Sequence, residues 1–148
     1  MPMGDARFVV IDSAFEADSL ARVLTLLRGY TRGRLSVLIG SVGGRARHRR
    51  GALGRTAVTY ADFAYFTADD PNGEDPETIC AEMVRACGSE RCCIITDRRR
   101  AIARAVSDLR RGDILLLAGK GGCDTQLIGG VRHPFSEKEI VLEALARL

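Results

Sequence analysis

The stretch Ile114-Leu-Leu-Leu-Ala-Gly-Lys-Gly121 decides how this chain is read. An apolar run of strand length with no polar alternation is the mark of a strand covered on both faces. It passes directly into a glycine loop that holds one lysine. Glycine lets backbone approach a charged group closely, and lysine supplies the countercharge. Two other apolar runs end in loaded loops: Leu35–Ile39 leads into Gly40–Arg50, and Phe63–Phe66 leads into Thr67–Pro76. In an open α/β sheet such loops gather beyond the carboxyl ends of the strands, where ligands bind.

Working outward, strands and helices alternate along the chain. Phe8–Ile11 is a short strand, followed by a helix from Glu16 to Tyr30 with Leu20, Val23, Leu24 and Leu27 at helical spacing. A short helix is expected over Ala52–Val58. Pro76 opens another, with Ile79, Met83 and Val84 on its apolar face. Cys92–Ile95 is a strand, and Asp97 caps a helix over Arg99–Leu109 that Gly112 closes. Thr125–Ile128 reads as a last, antiparallel strand, and Ser136 with Glu139 forms a capping box for a helix reaching Ala146. The expected fold class is α/β: a Rossmann-like, mostly parallel sheet of six strands, one an antiparallel edge strand, with helices on both faces.

Composition sets outer limits. The 148 residues suit one domain, and a hydrophobic content of 46% with 28% charged residues is that of an ordinary globular protein. A net charge of +3 is too small to indicate nucleic acid. No apolar run approaches the ~20 residues of a membrane span, so no membrane partner and a cytoplasmic location are expected. The five cysteines, Cys80, Cys87, Cys92, Cys93 and Cys123, contain no C-x-x-C pair. They predict neither a disulfide framework nor a metal site.

Each loop admits a functional and a plain reading. Gly40–Arg50 carries three glycines and four arginines, but lacks both the G-x-G-x-x-G spacing and a Walker A lysine-threonine pair. Arg45, Arg47, Arg49 and Arg50 bind carboxylate or phosphate through their planar forks, or simply form a solvated basic loop. No aromatic residues interleave with them to stack bases, which disfavours nucleic acid. In Thr67–Pro76, Asp69 and Asp70 either face a cationic ligand or belong to a well-capped acidic turn, with Asp75 or Glu74 at the helix start. Asp12, ending the first strand, is a contact to a ribose or a metal-bound water, or a loop cap. Surface or packing roles are expected for His48 and His133.

Taken in order, these residues resemble the C-terminal domain of the Mur ligases, within them the branch that adds the third amino acid of the peptidoglycan stem. The markers are Asp12-Ser-Ala-Phe15 with Asp18-Ser-Leu20 (family D-Y-A-H-T-P-D-A-L), Gly43-Gly-Arg45 with Arg49-Arg50, and Asp69-Asp-Pro-Asn72 with Glu74-Asp-Pro76 (family D-N-P-R-x-E-D-P). Asp97-Arg98 with Ala101-Ile102, Gly112-Asp113 leading to Ala118-Gly-Lys-Gly121, and Pro134-Phe135 complete the series. The resemblance implies a single domain over residues 1–148 that receives an amino acid and closes an ATP site. The P-loop domain that holds ATP and Mg, and the domain that binds the UDP-MurNAc-dipeptide, are expected to lie outside this chain. The domain is therefore not expected to be catalytic alone.

Residue by residue, the resemblance places Arg45 on the α-carboxylate of the amino acid. Asp69, Asp70, Asn72, Gly119 and Asp124 join it at the amino-acid site, Asp12 lies near the ATP ribose, and Lys120 and Arg47 are phosphate candidates. Asn72 stands where diaminopimelate ligases have an arginine, which implies a lysine-like acceptor instead. Phe15 replaces the family histidine near the nucleotide. Gly122 and Cys123 replace the histidine and glutamate of G-K-G-H-E, with Asp124 one position later. Each lost polar contact is worth ~1–3 kcal/mol. The departures leave two alternatives: a degenerate, non-catalytic binding or regulatory module of the same fold, and a related ligase for another amino acid.

Overall fold

The computed structural model describes residues 2–3, 6–88 and 90–148. Its elements run β1 (Pro2–Met3), β2 (Arg7–Asp12), α1 (Ala17–Arg28), β3 (Leu35–Ile39), α2 (Arg49–Tyr60), β4 (Phe63–Phe66), α3 (Pro76–Cys87), β5 (Cys92–Ile94), α4 (Arg98–Ser107), β6 (Ile114–Ala118), β7 (Thr125–Ile128), β8 (Val131–Pro134) and α5 (Glu137–Ala146). The main sheet has the order β1-β2-β6-β3-β4-β5. Only β1 is antiparallel to its neighbour.

Because β6 lies between β2 and β3, its side chains are enclosed from both sides and all five residues are buried. Successive side chains of the strands point to opposite faces. Leu35, Val37, Ile39, Ile114 and Leu116 pack with Leu20 and Leu24 of α1, Leu53 of α2, and Ile79 and Met83 of α3. On the other face Val9, Leu38, Tyr65, Leu115 and Leu117 pack with Ile102 and Val106 of α4 and Ile140 and Val141 of α5. The two faces explain why the strands read as unbroken apolar runs.

The sheet has six strands with one antiparallel edge, as the sequence predicts, but the strand at that edge is a different one. β1 fills it, whereas Thr125–Ile128 leaves the sheet and pairs with β8 in a separate hairpin. The side chain of Asn72 accepts a bond from Gly130 N at 3.0 Å, and its backbone N–H donates to Leu127, so the hairpin is tied to the acidic turn. Gly112 does not close α4. That helix ends at Ser107 with Asp108 as C-cap, and Gly112 serves the next turn with φ +88°. The helix starts follow the sequence more closely. Asp97 accepts from Arg100 N, Asp75 from Glu77 N, and Ser136 from Glu139 N.

Candidate functional site

The strand order places two crevices beside the carboxyl end of β6. The connections after β2 and β3 run through α1 and α2 on one face, whereas the chain beyond β6 reaches α5 on the other. Adjacent strands whose connections leave on opposite sides open a crevice at their carboxyl ends. Between β6 and β3 lies a cleft of about 540 Å³, lined by Arg45, Asp69, Asp70, Gly119 and Lys120 among others. Beside β2 lies a second of about 560 Å³, lined by Asp12, Gly121, Asp124, Ser136 and Lys138. Cys123 is on the wall of both.

The first cleft is built on a buried charge cluster. Lys120 follows the last residues of β6, and Gly119 before it has φ +107°, a conformation costly for any residue with a Cβ. The turn carries the lysine inward: its side chain is 1% exposed, with Nζ 2.8 Å from Asp70 Oδ1 and 3.6 Å from Asp69 Oδ1. Asp70 also accepts from Leu127 N at 3.0 Å. Burial raises the Asp70 pKa, but the Lys120 bond and the amide outweigh it and hold the carboxyl below its usual value. Deeper, Arg98 Nη2 donates to the Ala118 carbonyl and to Glu137, while its Nη1 donates to the Ala68 carbonyl. Burial pushes the Glu137 carboxyl up, against the pull of Arg98.

The arginine loop forms the opposite wall. Gly43 N donates to the Asp70 carbonyl at 2.8 Å, and an added Cβ at Gly43 would fall onto the Pro71 carbonyl oxygen. Only glycine permits that approach. Arg50 is buried, its fork holding both oxygens of Glu74 at 2.7 Å and reaching Glu82 at 2.8 Å. The Arg50 pair, with the Gly44 amide, pulls the Glu74 carboxyl down to about 2. Arg47 Nε donates to Glu82 at 2.9 Å. Arg49 lies 3.5 Å from Glu16 and over the Phe15 ring. Arg45 alone of the four is exposed on the cleft with no hydrogen bond or ion pair among the described residues.

The sequence-predicted residues therefore separate. Arg45, Asp69, Asp70, Gly119 and Lys120 meet in the first cleft; Asp12 and Asp124 meet in the second; Asn72 lines a neighbouring groove with Gln126 and Phe135. Four of these charged residues have partners within the chain. Lys120 and Arg47, the phosphate candidates, are occupied by Asp70 and Glu82. Asp69 and Asp70 line the cleft and turn to Lys120, because burying a lone charge costs more than pairing it. Sequence reasoning did not assign Arg98, Glu137, Glu82 or Gln126 to the site. The S-E pair opening α5 and the glutamate of α3 read equally well as surface helix positions.

Among the described residues no group of three or more His, Cys, Asp or Glu side chains is placed to hold a metal ion. In the second cleft Asp12 Oδ2 accepts from Ala14 N at 2.8 Å, which fixes the carboxylate beside the glycine turn and Lys138.

An open, mostly parallel sheet with charged crevices at its topological switch defines an α/β ligand-binding domain. The chain belongs to the Mur ligase family: residues 2–121 match the model described as Mur ligase, glutamate ligase domain. It is 43% identical over 145 residues to the UDP-N-acetylmuramoyl-L-alanyl-D-glutamate–2,6-diaminopimelate ligase of Ectopseudomonas mendocina, covering 97% of this chain and 30% of that protein. A solved structure of a ligase with the same name superposes with a TM-score of 0.92 at 35% identity, over 99% of this chain and 30% of its own. Escherichia coli FolC in complex with ADP shares the fold, with a TM-score of 0.58 at 16% identity over 75% of this chain and 25% of its own. The chain thus spans about 30% of the length of the curated relative it matches. Among the described residues no helix is long and apolar enough to cross a membrane.

Proposed function

We propose that this chain is the acceptor domain of an ATP-dependent amino-acid ligase acting in the cytoplasm on a peptidoglycan precursor of the UDP-MurNAc-dipeptide kind. Arg45 carries the reading. It is the exposed guanidinium of the arginine loop without a partner among the described residues, it lines the 540 Å³ cleft, and its fork suits the α-carboxylate of an amino acid. Lys120, neutralised by Asp70, holds the acidic turn and the hairpin in place behind it.

In this reading the rest of the protein holds ATP and Mg and supplies the activated carboxylate, an acyl phosphate. This domain binds the amino acid and presents its amino group to that carbonyl. Asp12 meets a ribose hydroxyl as the domain closes, and Lys138 lies near enough to the same crevice to face phosphate. Holding the two reactants together replaces an encounter in solution by an oriented contact. The relatives' names point to diaminopimelate as acceptor, whereas Asn72 in place of an arginine points to lysine. Asn72 is turned to Gly130, so neither assignment follows from its contacts.

The test is steady-state kinetics of the complete protein, read as amino-acid-dependent release of ADP. Arg45→Ala is expected to raise the amino-acid KM about 10- to 100-fold with kcat little changed, as loss of a charge-assisted pair requires. An unchanged KM removes Arg45 from the site. Absence of ADP release with any amino acid favours the non-catalytic module, to which Phe15, Gly122 and Cys123 already incline.

A further inference from the structure

We propose that the end of the domain opposite the clefts is a docking surface for an acidic protein segment that carries an apolar anchor residue. This surface lies beyond the acceptor-domain reading and stands or falls without it.

Two loops at the amino ends of β3 and β6 build the charged part. Gly33 N donates to the Gly112 carbonyl at 2.8 Å. The Asp113 carboxylate, 7% exposed, accepts from Arg34 N at 2.7 Å and from Arg110 N at 2.9 Å. The fit is close: a Cβ added at Gly33 would collide with Asp113 Oδ1, and Gly112 has φ +88°. The clamp uses backbone donors, so the side chains of Arg32, Arg34, Arg110 and Arg111 are left exposed. None of them has an ion pair among the described residues. Arg34 reaches the Phe63 ring, at 4.5 Å, and the Tyr65 hydroxyl, at 3.5 Å. Asp62 and Asp108, at the same end, are already paired with Arg28 and Arg104. The guanidiniums of this platform therefore surround a single buried carboxylate that backbone amides have taken.

A groove of about 500 Å³ opens beside them between the end of α1 and β2, walled by Ala6, Phe8, Val10, Leu27, Tyr30 and Ile114. Arg32 and Gly112 belong to both the groove and the platform. Phe8 is 42% exposed and Tyr30 73%. Exposed apolar surface bordered by charge is the anatomy of a protein interface. A concave wall admits a protruding side chain, whereas a lipid surface is met by residues that project from the protein. Apart from Arg32 the side chains of the groove are apolar or end in a single hydroxyl, so a nucleobase seated there would leave most of its polar edge unpaired. An aliphatic or aromatic side chain fills it without a polar remainder. Carboxylates on either side of that anchor meet the planar forks of the arginines.

The experiment is fluorescence anisotropy of the complete protein with a labelled synthetic peptide, a Leu-Phe centre flanked by aspartates and glutamates. A Kd of about 1–100 µM that weakens with added salt is expected. Replacing the Leu-Phe centre by Ser-Ser is expected to weaken binding about 10-fold or more. Arg110→Ala combined with Arg111→Ala is expected to weaken it about 10-fold, and Tyr30→Ala about 5-fold, with the urea midpoint unchanged. No binding of the acidic peptide overturns the proposal, including the case in which the rest of the protein covers the groove. Equal binding of the serine peptide overturns the role of the groove, and equal binding by the double variant overturns that of the arginines. Tighter binding of phosphatidylglycerol vesicles or of an oligouridylate assigns the surface to lipid or nucleic acid and overturns the acidic-segment assignment. Each of these failures leaves the ligase reading untouched.

Discussion

Lys120 Nζ and Asp70 Oδ1 stand 2.8 Å apart across a separation of 50 residues, joining the loop after β6 to the turn after β4. The same Asp70 carboxylate takes the Leu127 amide, so one ion pair fixes two loops and the β7–β8 hairpin. The pair therefore ties the floor of the cleft together.

Lys120→Met follows from that pairing. It keeps the volume of the stem but leaves Asp69 and Asp70 without their cation in a buried place. Removing one partner of a buried pair costs ~3–5 kcal/mol. Urea unfolding should register a loss of that order; a loss below about 1 kcal/mol would mean that water already screens the pair.

Arg50→Lys tests the fork. The guanidinium, 1% exposed, grips both oxygens of Glu74 and one of Glu82. A lysine keeps the charge and loses the bidentate geometry, at a cost of ~1–3 kcal/mol. Amide exchange in the arginine loop should quicken as well, because Gly44 N donates to the same Glu74.

Acid should weaken the same cluster. Glu74 has its carboxyl held at about 2 against an ordinary 4.5, so its contribution is complete above about 4.5 and is lost as pH falls towards about 2. Glu137, raised by burial, acts in the opposite sense and loses stability as pH rises through its range. Glu74→Gln should flatten the acid limb of stability in thermal melts across that interval. An unchanged limb would place the acid sensitivity elsewhere.

Asn72→Ala tests the hairpin tie. Asn72 sits at φ +53° and accepts from Gly130 N at 3.0 Å. Alanine loses the bond and tolerates that backbone less well, together ~1–2 kcal/mol. Proteolysis within the β7–β8 hairpin should rise, while the Arg45 wall is left intact.

Gly43→Ala is expected to act on the cleft itself. The new methyl would meet the Pro71 backbone, so the arginine loop must move away from the acidic turn. Amino-acid KM should rise more than about 10-fold in the complete protein, and melting should fall as well because the obstructing atoms are backbone. A normal KM would show that the loop adapts.

The sequence by itself determined the class of the fold, because strands enclosed on both faces must be apolar throughout, and Ile114–Ala118 and Leu35–Ile39 are. It also determined where the loops would gather and which regions hold the helix caps, since Asp75, Asp97 and Ser136 act through amides two or three residues away. The tertiary structure decided which charges are free. Local spacing cannot say that Lys120 would meet Asp70, that Arg50 would meet Glu74 and Glu82, or that Arg98 would meet Glu137. Those pairs join residues 20 or more positions apart, and their formation is driven by the cost of burying either charge alone. What remains after such pairing is Arg45, without a partner among the described residues, and Arg49, held only by Glu16 at 3.5 Å, a remainder that only the folded chain can leave.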